Sequence, residues 1–523
     1  MGQTVGLTLD PRRNEPLYRQ IFDQVVARIE TRAFPPGYKL PPTRALAREL
    51  ATHRNTVVRA YADLEAAGFV TSTVGRGTFV ETALATAAKP KAAKTGAKAR
   101  AAPHAPDGSS EAGAPIPWPS LVSRAGKSEV LTRAERYPRK VDRRDVVNCA
   151  RMQPSADLLP DDLVRRCIAR ALSDVRAAAM TYAPPEGVPR LREQIAIELT
   201  ARGVPTVADD VTVTSGSQQG LDLVARALIE PGDAVVVEAT TYSGAIDVFT
   251  LAGARLVTVP ADSEGPDVAA LGRLSRQGVK AFYVMPNGHN PTGRTMSAAR
   301  RRAVVAWSRS TGIPIIEDDY CAGLTLDGAP NPHLRALDGD VIHLSTFSKR
   351  LVPALRVGYV VAPPTLRGTL RSVKRVVDLG TSPIIQHALA EFMERGYLRA
   401  HMTKVVAEYR RRLDALSEAL LRSLPEGVTF ERPTHGIVVW VKLPRGLDPD
   451  AVYTAALEQG LLVTPTAVWA ADGTAEPGVR LAFCAEPLDR LVIGAKRLGK
   501  AIRQVLGASA KKTTEERADY EVV

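Results

Sequence analysis

Long hydrophobic runs are missing from this 523-residue chain. No apolar stretch approaches the roughly 18 residues that a membrane-spanning helix needs. The first residues, MGQTVGLTLDPRRNEP, contain no apolar core of the kind found in secretory signals. The four cysteines are widely scattered, with neither CxxC nor metal-ligand spacing. These absences argue against a membrane protein, a disulfide-bonded secreted protein and a zinc site, and they favour a cytoplasmic protein that binds no metal.

The length exceeds what one hydrophobic core usually serves, so at least two domains are expected. A hydrophobic fraction of 45% and a charged fraction of 24% are those of an ordinary globular protein. The formal net charge of +13 favours an anionic partner. Part of that excess falls in AAKPKAAKTGAKARAAP, where solubility alone would explain it. The positions of the remaining charges therefore carry more information than their sum.

The first eighty residues carry the pattern of three helices and a hairpin. Apolar residues recur with helical spacing through NEPLYRQIFDQVVARIE, and the turn-rich PPGYKLPP separates this helix from RALARELA. A third helix starts near Arg54 and ends at Gly68. FVTSTVGRGTFV then has the pattern of two short strands around a Gly-Arg-Gly tip. This order predicts a winged helix-turn-helix over residues 1–82.

A winged helix-turn-helix places the first turn of its third helix against base edges in the major groove. The start of the second helix and the tip of the wing can contact the DNA backbone. A three-helix protein-interaction module with ordinary surface arginines is the alternative. The residues that these positions assign to DNA contact are Arg44, Arg54, Asn55, Thr56, Arg59, Arg76 and Gly77.

The segment LPPTRALARELATHRNTVVRAYADLEAAGFVTSTVGRGTFV resembles the GntR family of bacterial regulators. The resemblance implies DNA binding through the third helix and the wing. The chain departs from the family where Ala51-Thr52-His53 replaces the usual Gly-Val-Ser before the recognition arginine. This departure concerns one phosphate contact rather than the fold.

The rest of the chain divides into three parts. Residues 83–145 are rich in Ala, Lys, Pro and Gly, which predicts a flexible linker. From residue 146 to residue 508, apolar strands alternate with helices, which predicts a mostly parallel sheet covered on both faces and a smaller α+β subdomain over about 395–508. Residues 509–523 are predicted to be a disordered tail. The predicted strands of the large sheet are DVTVTS, DAVVVEA, ARLVTV, KAFYVMP, IPIIEDD, DVIHLS and RVGYVVA.

One lysine, in LSTFSKRLVPALRVGYVV, suggests covalent chemistry. A neutral amine at Lys349 can form a Schiff base with an aldehyde such as pyridoxal phosphate. That cofactor also needs a cradle for its phosphate. TVTSGSQQGLDL predicts a strand, a glycine turn and a helix start, which direct free N–H groups at an anion. The predicted cradle residues are Ser217, Gln218, Thr346, Ser348 and Arg356.

The remaining needs of the cofactor are a carboxylate for its ring nitrogen, donors for its ring oxygen and a stacking face. Asp318 ends the strand pattern IPIIEDDY, and ligands of open α/β sheets gather at such strand ends. Tyr320 and Asn290 can donate to the ring oxygen, and Tyr242 can stack on the ring. Taken singly, these could be a helix cap, a packing residue and a turn former, and the lysine a surface residue. Their common placement at strand ends favours a cofactor site.

Residues 146–508 resemble fold-type I aminotransferases, through NPTG, the Asp318–Tyr320 pair and the Ser-Lys of TFSKRLVPALR. The resemblance implies that Lys349 is the Schiff-base lysine, that Asp318 pairs with the pyridine nitrogen and that Tyr242 stacks on the ring. It also assigns Arg480, in GVRLAFC, to the α-carboxylate of a substrate or effector. The alternative for Arg480 is a surface residue at a strand edge.

A GntR-type winged helix followed by an aminotransferase-like domain resembles the MocR/GabR subfamily of GntR regulators. The resemblance implies a homodimeric, pyridoxal phosphate-dependent regulator, possible exchange of domains between protomers, and binding to a double-stranded DNA operator. An amino compound or a B6 vitamer would be sensed through the Lys349 Schiff base. A catalytically active aminotransferase is the alternative, because this chain retains Asn290 of NPTG, which many members of the subfamily have lost. A cofactor domain that serves only as a dimerisation scaffold is a third hypothesis.

Overall fold

The computed structural model describes residues 6–10, 15–73, 77–81, 116–137, 145–328 and 330–520. These residues fall into two compact units, Met1–Ala114 and Pro115–Val523. Each unit has its own hydrophobic core, as the length of the chain led us to expect. Among the described helices, none combines the length and the apolarity that crossing a bilayer requires.

The first unit is a winged helix-turn-helix, as the sequence predicts. Its core contains Ile21, Val25, Val57 and Leu64, which are fully buried between the helices. The hydroxyl of Tyr61 donates to the carbonyl of Pro41 at 2.9 Å, which ties the third helix to the turn before the second. The two strands pair in antiparallel register as a hairpin. The elements are α1 (Leu17–Glu30), α2 (Thr43–Glu49), α3 (Arg54–Ala66), β1 (Val70–Thr73) and β2 (Gly77–Val80).

The second unit alternates helices and strands over most of its length. Its strands are β3 (Val147–Asn148), β4 (Val211–Thr214), β5 (Ala234–Glu238), β6 (Arg255–Val259), β7 (Ala261–Asp262), β8 (Gly265–Pro266), β9 (Val279–Val284), β10 (Ile315–Asp319), β11 (Ile342–Thr346), β12 (Gly358–Val361), β13 (Thr429–Phe430), β14 (Val438–Lys442), β15 (Leu461–Leu462), β16 (Thr464–Pro465) and β17 (Gly478–Ala482). Its helices are α4 (Trp118–Leu121), α5 (Glu129–Thr132), α6 (Asp161–Arg170), α7 (Ala177–Met180), α8 (Pro189–Ala201), α9 (Ser217–Leu228), α10 (Ser243–Leu251), α11 (Val268–Leu274), α12 (Ala298–Thr311), α13 (Leu334–Leu337), α14 (Pro364–Asp378), α15 (Pro383–Glu394), α16 (Tyr397–Ser423), α17 (Pro449–Glu458) and α18 (Leu488–Tyr520).

A seven-stranded sheet in the order β4-β12-β11-β10-β9-β5-β6 forms the centre of this unit. Strand β12 is antiparallel to both of its neighbours, and the other recorded pairings are parallel. In β5, Val235 and Val237 point into one core and Val236 into another, so helices cover both faces. All seven strands predicted for this sheet are present in it.

The smaller subdomain contains a four-stranded antiparallel sheet in the order β13-β14-β17-β16. Strand β17 lies inside this sheet, and Arg480 pairs with Trp440 on one side and Thr464 on the other. The side chain of Arg480 is buried. The alternative of a surface residue at a strand edge is therefore wrong.

Part of the predicted linker, residues 83–145, is folded. The described segment 116–137, which contains α4 and α5, belongs to the second unit. The side chain of Arg133 donates to the carbonyl of Ala470, and the hydroxyl of Tyr137 donates to Asp450 at 2.8 Å. The ring of Tyr137 also packs edge-to-face on Tyr453, which gives this charged segment an apolar anchor. Residues 82–115 and 138–144 lie outside the described residues.

The predicted disordered tail, residues 509–523, needs a similar correction. Helix α18 continues to Tyr520, and only residues 521–523 lie outside the described part. The tail contains neither proline nor glycine to end a helix that packing has already started. Lys511 and Lys512 also stand four residues before Glu515 and Glu516, a spacing that favours helix.

Candidate cofactor site and DNA-binding surface

A cavity of about 430 Å³ lies where strands of the large sheet end. Such strand ends are where ligands of open α/β sheets bind. Seven of the residues that the sequence assigned to a cofactor and its substrate come together here. Those that line this one cavity are Ser217, Tyr242, Asn290, Asp318, Tyr320, Lys349 and Arg480.

Lys349 stands in the turn that follows β11, where its amine can reach the cavity. Its Nζ donates to the carbonyl of Met152 at 2.8 Å. The side chain is half-buried rather than exposed. A surface lysine, the alternative considered from the sequence, does not match this placement.

Asp318 offers the cavity a buried carboxylate. Its Oδ2 accepts a 2.7 Å hydrogen bond from the hydroxyl of Tyr283, while its Oδ1 has no hydrogen-bond partner among the described residues. Burial raises the pKa of Asp318 to about 7, although the hydrogen bond from Tyr283 and an interaction with the backbone amide of Tyr320 oppose the shift. Because Asp318 belongs to β10, it is not a helix cap. A cationic N–H donor, such as a protonated pyridine nitrogen, matches this oxygen.

Three further predicted residues make hydrogen bonds around the cavity. The hydroxyl of Tyr320 donates to the carbonyl of Gly288 at 2.7 Å. Asn290 is buried, and its Oδ1 accepts from Arg480 at 3.1 Å. The hydroxyl of Tyr242 donates to Gln218 at 2.9 Å, which fixes the position of the Tyr242 ring. The three side chains are therefore held in place by the protein itself.

The predicted phosphate cradle is the loop between β4 and α9. Gly216 caps α9 with a φ of 85°, so the chain turns sharply and directs the N-terminus of the helix at the cavity. The guanidinium of Arg356 donates to the carbonyl of Ser215 at 3.0 Å, and Gln219 accepts from the amide of Ser215 at 2.7 Å. These contacts hold the loop from both sides.

Four predicted cradle residues are absent from the lining of the cavity. Gln218 donates to the carbonyl of Gly244 at 2.9 Å and so points toward α10. Thr346 and Ser348 are bonded to each other at 3.1 Å, and Arg356 bonds to the loop backbone. Among the predicted cradle residues, Ser217 is the one that lines the cavity.

Gly358 supplies a direct test of this loop. A Cβ on Gly358 would lie 2.6 Å from the carbonyl carbon of Gly216 and 2.7 Å from the amide of Ser217. We expect Gly358→Ala to displace the loop and to lower affinity for pyridoxal phosphate by about tenfold or more, because a backbone clash cannot be relieved by a rotamer change. Spectrophotometric titration of the apoprotein measures this loss.

The matched control is Gly368→Ala, in α14. A Cβ there meets nothing within 4 Å, and alanine favours helix by about 0.5–1 kcal/mol over glycine. This variant should keep wild-type cofactor affinity and gain a little stability. Equal cofactor affinity in both glycine variants would contradict the assignment of the loop.

Arg480 lies across the cavity on β17. Its Nη1 donates to Asn290, and its Nη2 donates to the carbonyl of Ala150 at 2.7 Å and to Thr464 at 3.2 Å. The guanidinium also lies 4.4 Å from the ring centroid of Trp469. The guanidinium therefore places a positive charge on the wall of the cavity.

Among the residues of the cavity wall that sequence reasoning missed are Tyr137, Met152 and Trp469. Tyr137 comes from the segment predicted to be linker, where its aromatic ring in the charged run RAERYPRK was the available signal. Met152 accepts from Lys349 through its carbonyl, and its sulfur lies 2.8 Å from Arg480. Neither Met152 nor Trp469 stands in a pattern that distinguishes it from a core residue.

A group that resembles a metal site lies behind the cofactor cavity. Glu317, His333 and His343 are buried, with donor atoms within 4.8 Å of one another. The carboxylate of Glu317 accepts from the backbone amides of Leu334 and Arg335 at 2.9 and 3.1 Å. Burial opposes ionisation of Glu317, but hydrogen bonds from both histidines hold its pKa well below the usual value. A hydrogen-bonded structural carboxylate explains the group.

The predicted DNA-contacting residues of the helices lie at the surface of the first unit. Arg44, Arg54 and Asn55 are exposed, and Thr56 is half-buried. Helix α3 starts at Arg54, and His53 provides no side-chain cap. Arg54 and Asn55 are therefore accessible in the first turn of α3, and their contact with DNA stays a prediction.

The remaining residues predicted to contact DNA lie later in α3 and in the hairpin. The guanidinium of Arg59 stacks on Tyr18, 3.9 Å from the ring centroid, so one face of it is already covered. Gly77 opens β2 with a φ of 116°. Arg76 lies outside the described residues. Val58, exposed on α3 one turn after Arg54, was missed, and its methyl groups suit contact with a thymine methyl.

Comparison with known proteins agrees with both units. The gntR family of bacterial regulatory proteins matches residues 17–80, and the aminotransferase class I and II family matches residues 159–495. The structure of LysN, the α-aminoadipate aminotransferase of Thermus thermophilus in complex with a phosphopyridoxyl-leucine, shares 30% identity at a TM-score of 0.69. That match covers 75% of this chain and 99% of the LysN chain. The second unit therefore has the fold of a pyridoxal phosphate-dependent aminotransferase.

A DNA-binding unit joined to an aminotransferase fold defines a class of transcription regulator. An uncharacterized HTH-type transcriptional regulator of Bacillus subtilis, YdfD, is 30% identical over 94% of this chain and 97% of its own length. The probable rhizopine catabolism regulatory protein MocR of Rhizobium meliloti is 30% identical over 88% of each chain. The chain belongs to the MocR/GabR subfamily of GntR transcriptional regulators.

Proposed function

We propose that this regulator binds pyridoxal phosphate and senses an amino compound or a B6 vitamer through a Schiff base at Lys349. The observation that supports the proposal best is the Oδ1 of Asp318, to which the described residues make no hydrogen bond of ordinary geometry, in the cavity that Lys349 also lines. A buried carboxylate oxygen without a partner is costly unless a ligand completes it. The protein is proposed to be cytoplasmic.

Five residues that line the cavity have separate roles in this proposal. The bound cofactor supplies an aldehyde carbon that amines attack. Lys349 holds that carbon covalently, Asp318 keeps the ring nitrogen protonated, and Tyr242 covers one face of the ring. Ser217 and the N-terminus of α9 bind the phosphate. Arg480 binds the carboxylate of an effector that has one.

Effector binding replaces one covalent link by another, so the covalent change alone supplies little switching energy. A ligand shifts a conformational equilibrium only by its difference in affinity for the two states. Arg480 and Met152 are the contacts that an effector carboxylate would change, because Arg480 now contacts Met152 and Ala150. We propose that rearrangement of the segment that contains Ala150 and Met152 produces the signal.

The DNA-binding half of the proposal is tested at the start of α3. We expect Arg54→Ala to cost about 1–3 kcal/mol at one base position of the operator, because an arginine in the first turn reads a base edge. Affinity measured on operators with single base changes reveals that loss. A uniform loss on every sequence would make Arg54 a phosphate contact. Arg19→Ala on α1, where Arg19 pairs with Asp23, is the matched control.

A homodimer fits the surface of the second unit. Met180, Tyr182, Val376 and Leu379 are large apolar residues that are more than half exposed. The two segments that carry them are adjacent, because a Cβ on Gly380 would lie 3.4 Å from the carbonyl of Ala183. Exposed apolar clusters mark association surfaces. A second copy, with or without exchange of domains, is the proposed partner, and it gives the regulator two winged helices for one operator.

Turnover as an aminotransferase is the second candidate function. The observation that favours it is the intact set of Asn290, Tyr320 and Arg480 beside Lys349. Sustained keto-acid production from an amino acid, at the rates usual for metabolic enzymes, would support this candidate. A change in operator affinity without turnover supports the sensor.

A further inference from the structure

One wall of the cavity is aromatic. Tyr137, Tyr242 and Trp469 line it together with Val468. Trp469 and Val468 belong to a small buried cluster with Trp440, and both tyrosines pack against that cluster. The proposed function assigns Tyr242 to the cofactor ring. Tyr137 and Trp469 therefore remain for the side chain of the bound compound.

Both rings are fixed without a ligand. Tyr137 packs edge-to-face on Tyr453, with ring centroids 5.2 Å apart, and its hydroxyl bonds to Asp450. The backbone of Trp469 accepts a 2.9 Å hydrogen bond from the amide of Thr241, and its ring lies against Arg480. A wall that is already ordered costs little conformational entropy when a ligand binds.

The charges of the cavity restrict the ligand further. Among the described residues that line it, Asp318 is the sole carboxylate, and the proposed function assigns it to the ring nitrogen. A second ammonium group, as in a basic amino acid, would therefore meet no further carboxylate among the described residues of this wall. A second carboxylate could meet Arg151, but Arg151 is exposed, and ion pairs at exposed sites are weak. An aromatic side chain on the bound amino acid therefore suits this wall better than a basic or an acidic one.

We propose that the sensed compound is an α-amino acid with an aromatic side chain. Its carboxylate binds Arg480 and its ring packs against Tyr137 and Trp469. This inference rests on the proposed function, since it assumes that an amine reaches the cofactor held by Lys349. Segment 116–137 would then contribute to ligand specificity through Tyr137.

The test titrates the cofactor-loaded, full-length protein with phenylalanine, alanine and 2-aminoadipate. Cofactor absorbance and the heat of binding are followed in parallel. Wild type should bind phenylalanine about tenfold or more tightly than alanine, because only phenylalanine covers the aromatic wall. Tyr137→Ala should remove most of this preference by weakening phenylalanine far more than alanine. Tyr137→Phe keeps the ring and should keep the preference.

Three outcomes overturn the inference, and they differ from one another. If 2-aminoadipate binds more tightly than phenylalanine and Arg151→Ala abolishes that advantage, the sensed class is acidic, while sensing itself stands. If Tyr137→Ala weakens phenylalanine and alanine equally, Tyr137 has only a structural role. If no amino compound changes the absorbance of the loaded protein, the proposed function fails first.

Discussion

Lys349→Ala should abolish both the absorbance of a cofactor bound as a Schiff base and the response of operator binding to amines. The amine of Lys349 is the one nucleophile that we assign to the cavity, and alanine leaves no nitrogen to bond to the cofactor aldehyde. Operator affinity without an amine should remain within about threefold of wild type, since the substitution lies in the second compact unit. Absorbance spectroscopy and operator titrations with and without amine measure these effects.

Lys374→Met is not a suitable control for that experiment, because Lys374 bonds to Gln219, which in turn bonds to the loop between β4 and α9. Lys280→Ala is better matched, since Lys280 is an exposed lysine on β9. It should retain absorbance and response. A wild-type protein that shows no Schiff-base absorbance after incubation with pyridoxal phosphate would leave only the dimerisation scaffold among the hypotheses.

Sequence reasoning predicted most of the fold, because the strongest local signals coincide with buried elements. Residues 234–238 of DAVVVEA and 281–284 of KAFYVMP are buried on both faces of the sheet, so each side chain in these stretches reports on burial. The start of α3 at Arg54 was predicted correctly because the helical spacing of its apolar residues and the glycine at its end, Gly68, together define a short helix. Tertiary contacts agree with local preference at these positions.

The linker and the tail show where local reasoning fails. Segment 116–137 has a composition typical of a linker, yet Tyr137 and Arg133 anchor it through partners more than 300 residues away in sequence. Composition cannot report such distant contacts. Helix α18 continues into the predicted tail because helix propagates easily from a packed start.

Sequence reasoning named the residues of the candidate site that stand at strand ends of the large sheet, and it missed part of the aromatic wall. Asp318, Lys349 and Asn290 stand in motifs at strand ends, and topology brings strand ends together. Tyr137 and Trp469 come from segments without a motif, and only the fold places them at the cavity. Sequence also assigned Gln218 to the phosphate, whereas its amide points to Gly244 of the next helix. The order of residues along a helix start does not determine the direction of each side chain.

Asp318 should make the stability of the apoprotein fall as pH rises toward neutrality. Burial raises its pKa from 3.8 to about 7 in the folded protein, so the folded state holds this proton more tightly than the unfolded chain does. The slope of stability with pH is negative wherever the folded state binds more protons, which for this group is between about pH 4 and pH 7. A shift of about three pKa units corresponds to roughly 4 kcal/mol of destabilisation above pH 7.

Asp318→Asn isolates that contribution, because asparagine has a similar shape and does not titrate. Chemical denaturation of the two apoproteins should show the variant gaining on wild type by about 2.5 kcal/mol between about pH 5 and pH 8, because the rest of the effect falls below pH 5. Other titrating groups, such as His435, whose pKa burial lowers to about 4, occur in both proteins and cancel in the difference. A difference that is constant with pH would mean that Asp318 is already ionised at pH 5.

The same carboxylate should couple cofactor binding to pH. When Asp318 is ionised, a protonated ring nitrogen completes its Oδ1, so the interaction removes the cost that burial imposed. Pyridoxal phosphate should therefore stabilise wild type more at about pH 8 than at about pH 6. In Asp318→Asn the stabilisation should be smaller at both values and almost independent of pH, apart from changes shared with Lys349. If the cofactor stabilises the two proteins equally, Asp318 does not interact with the ring nitrogen. The main support for the sensing site would then be lost.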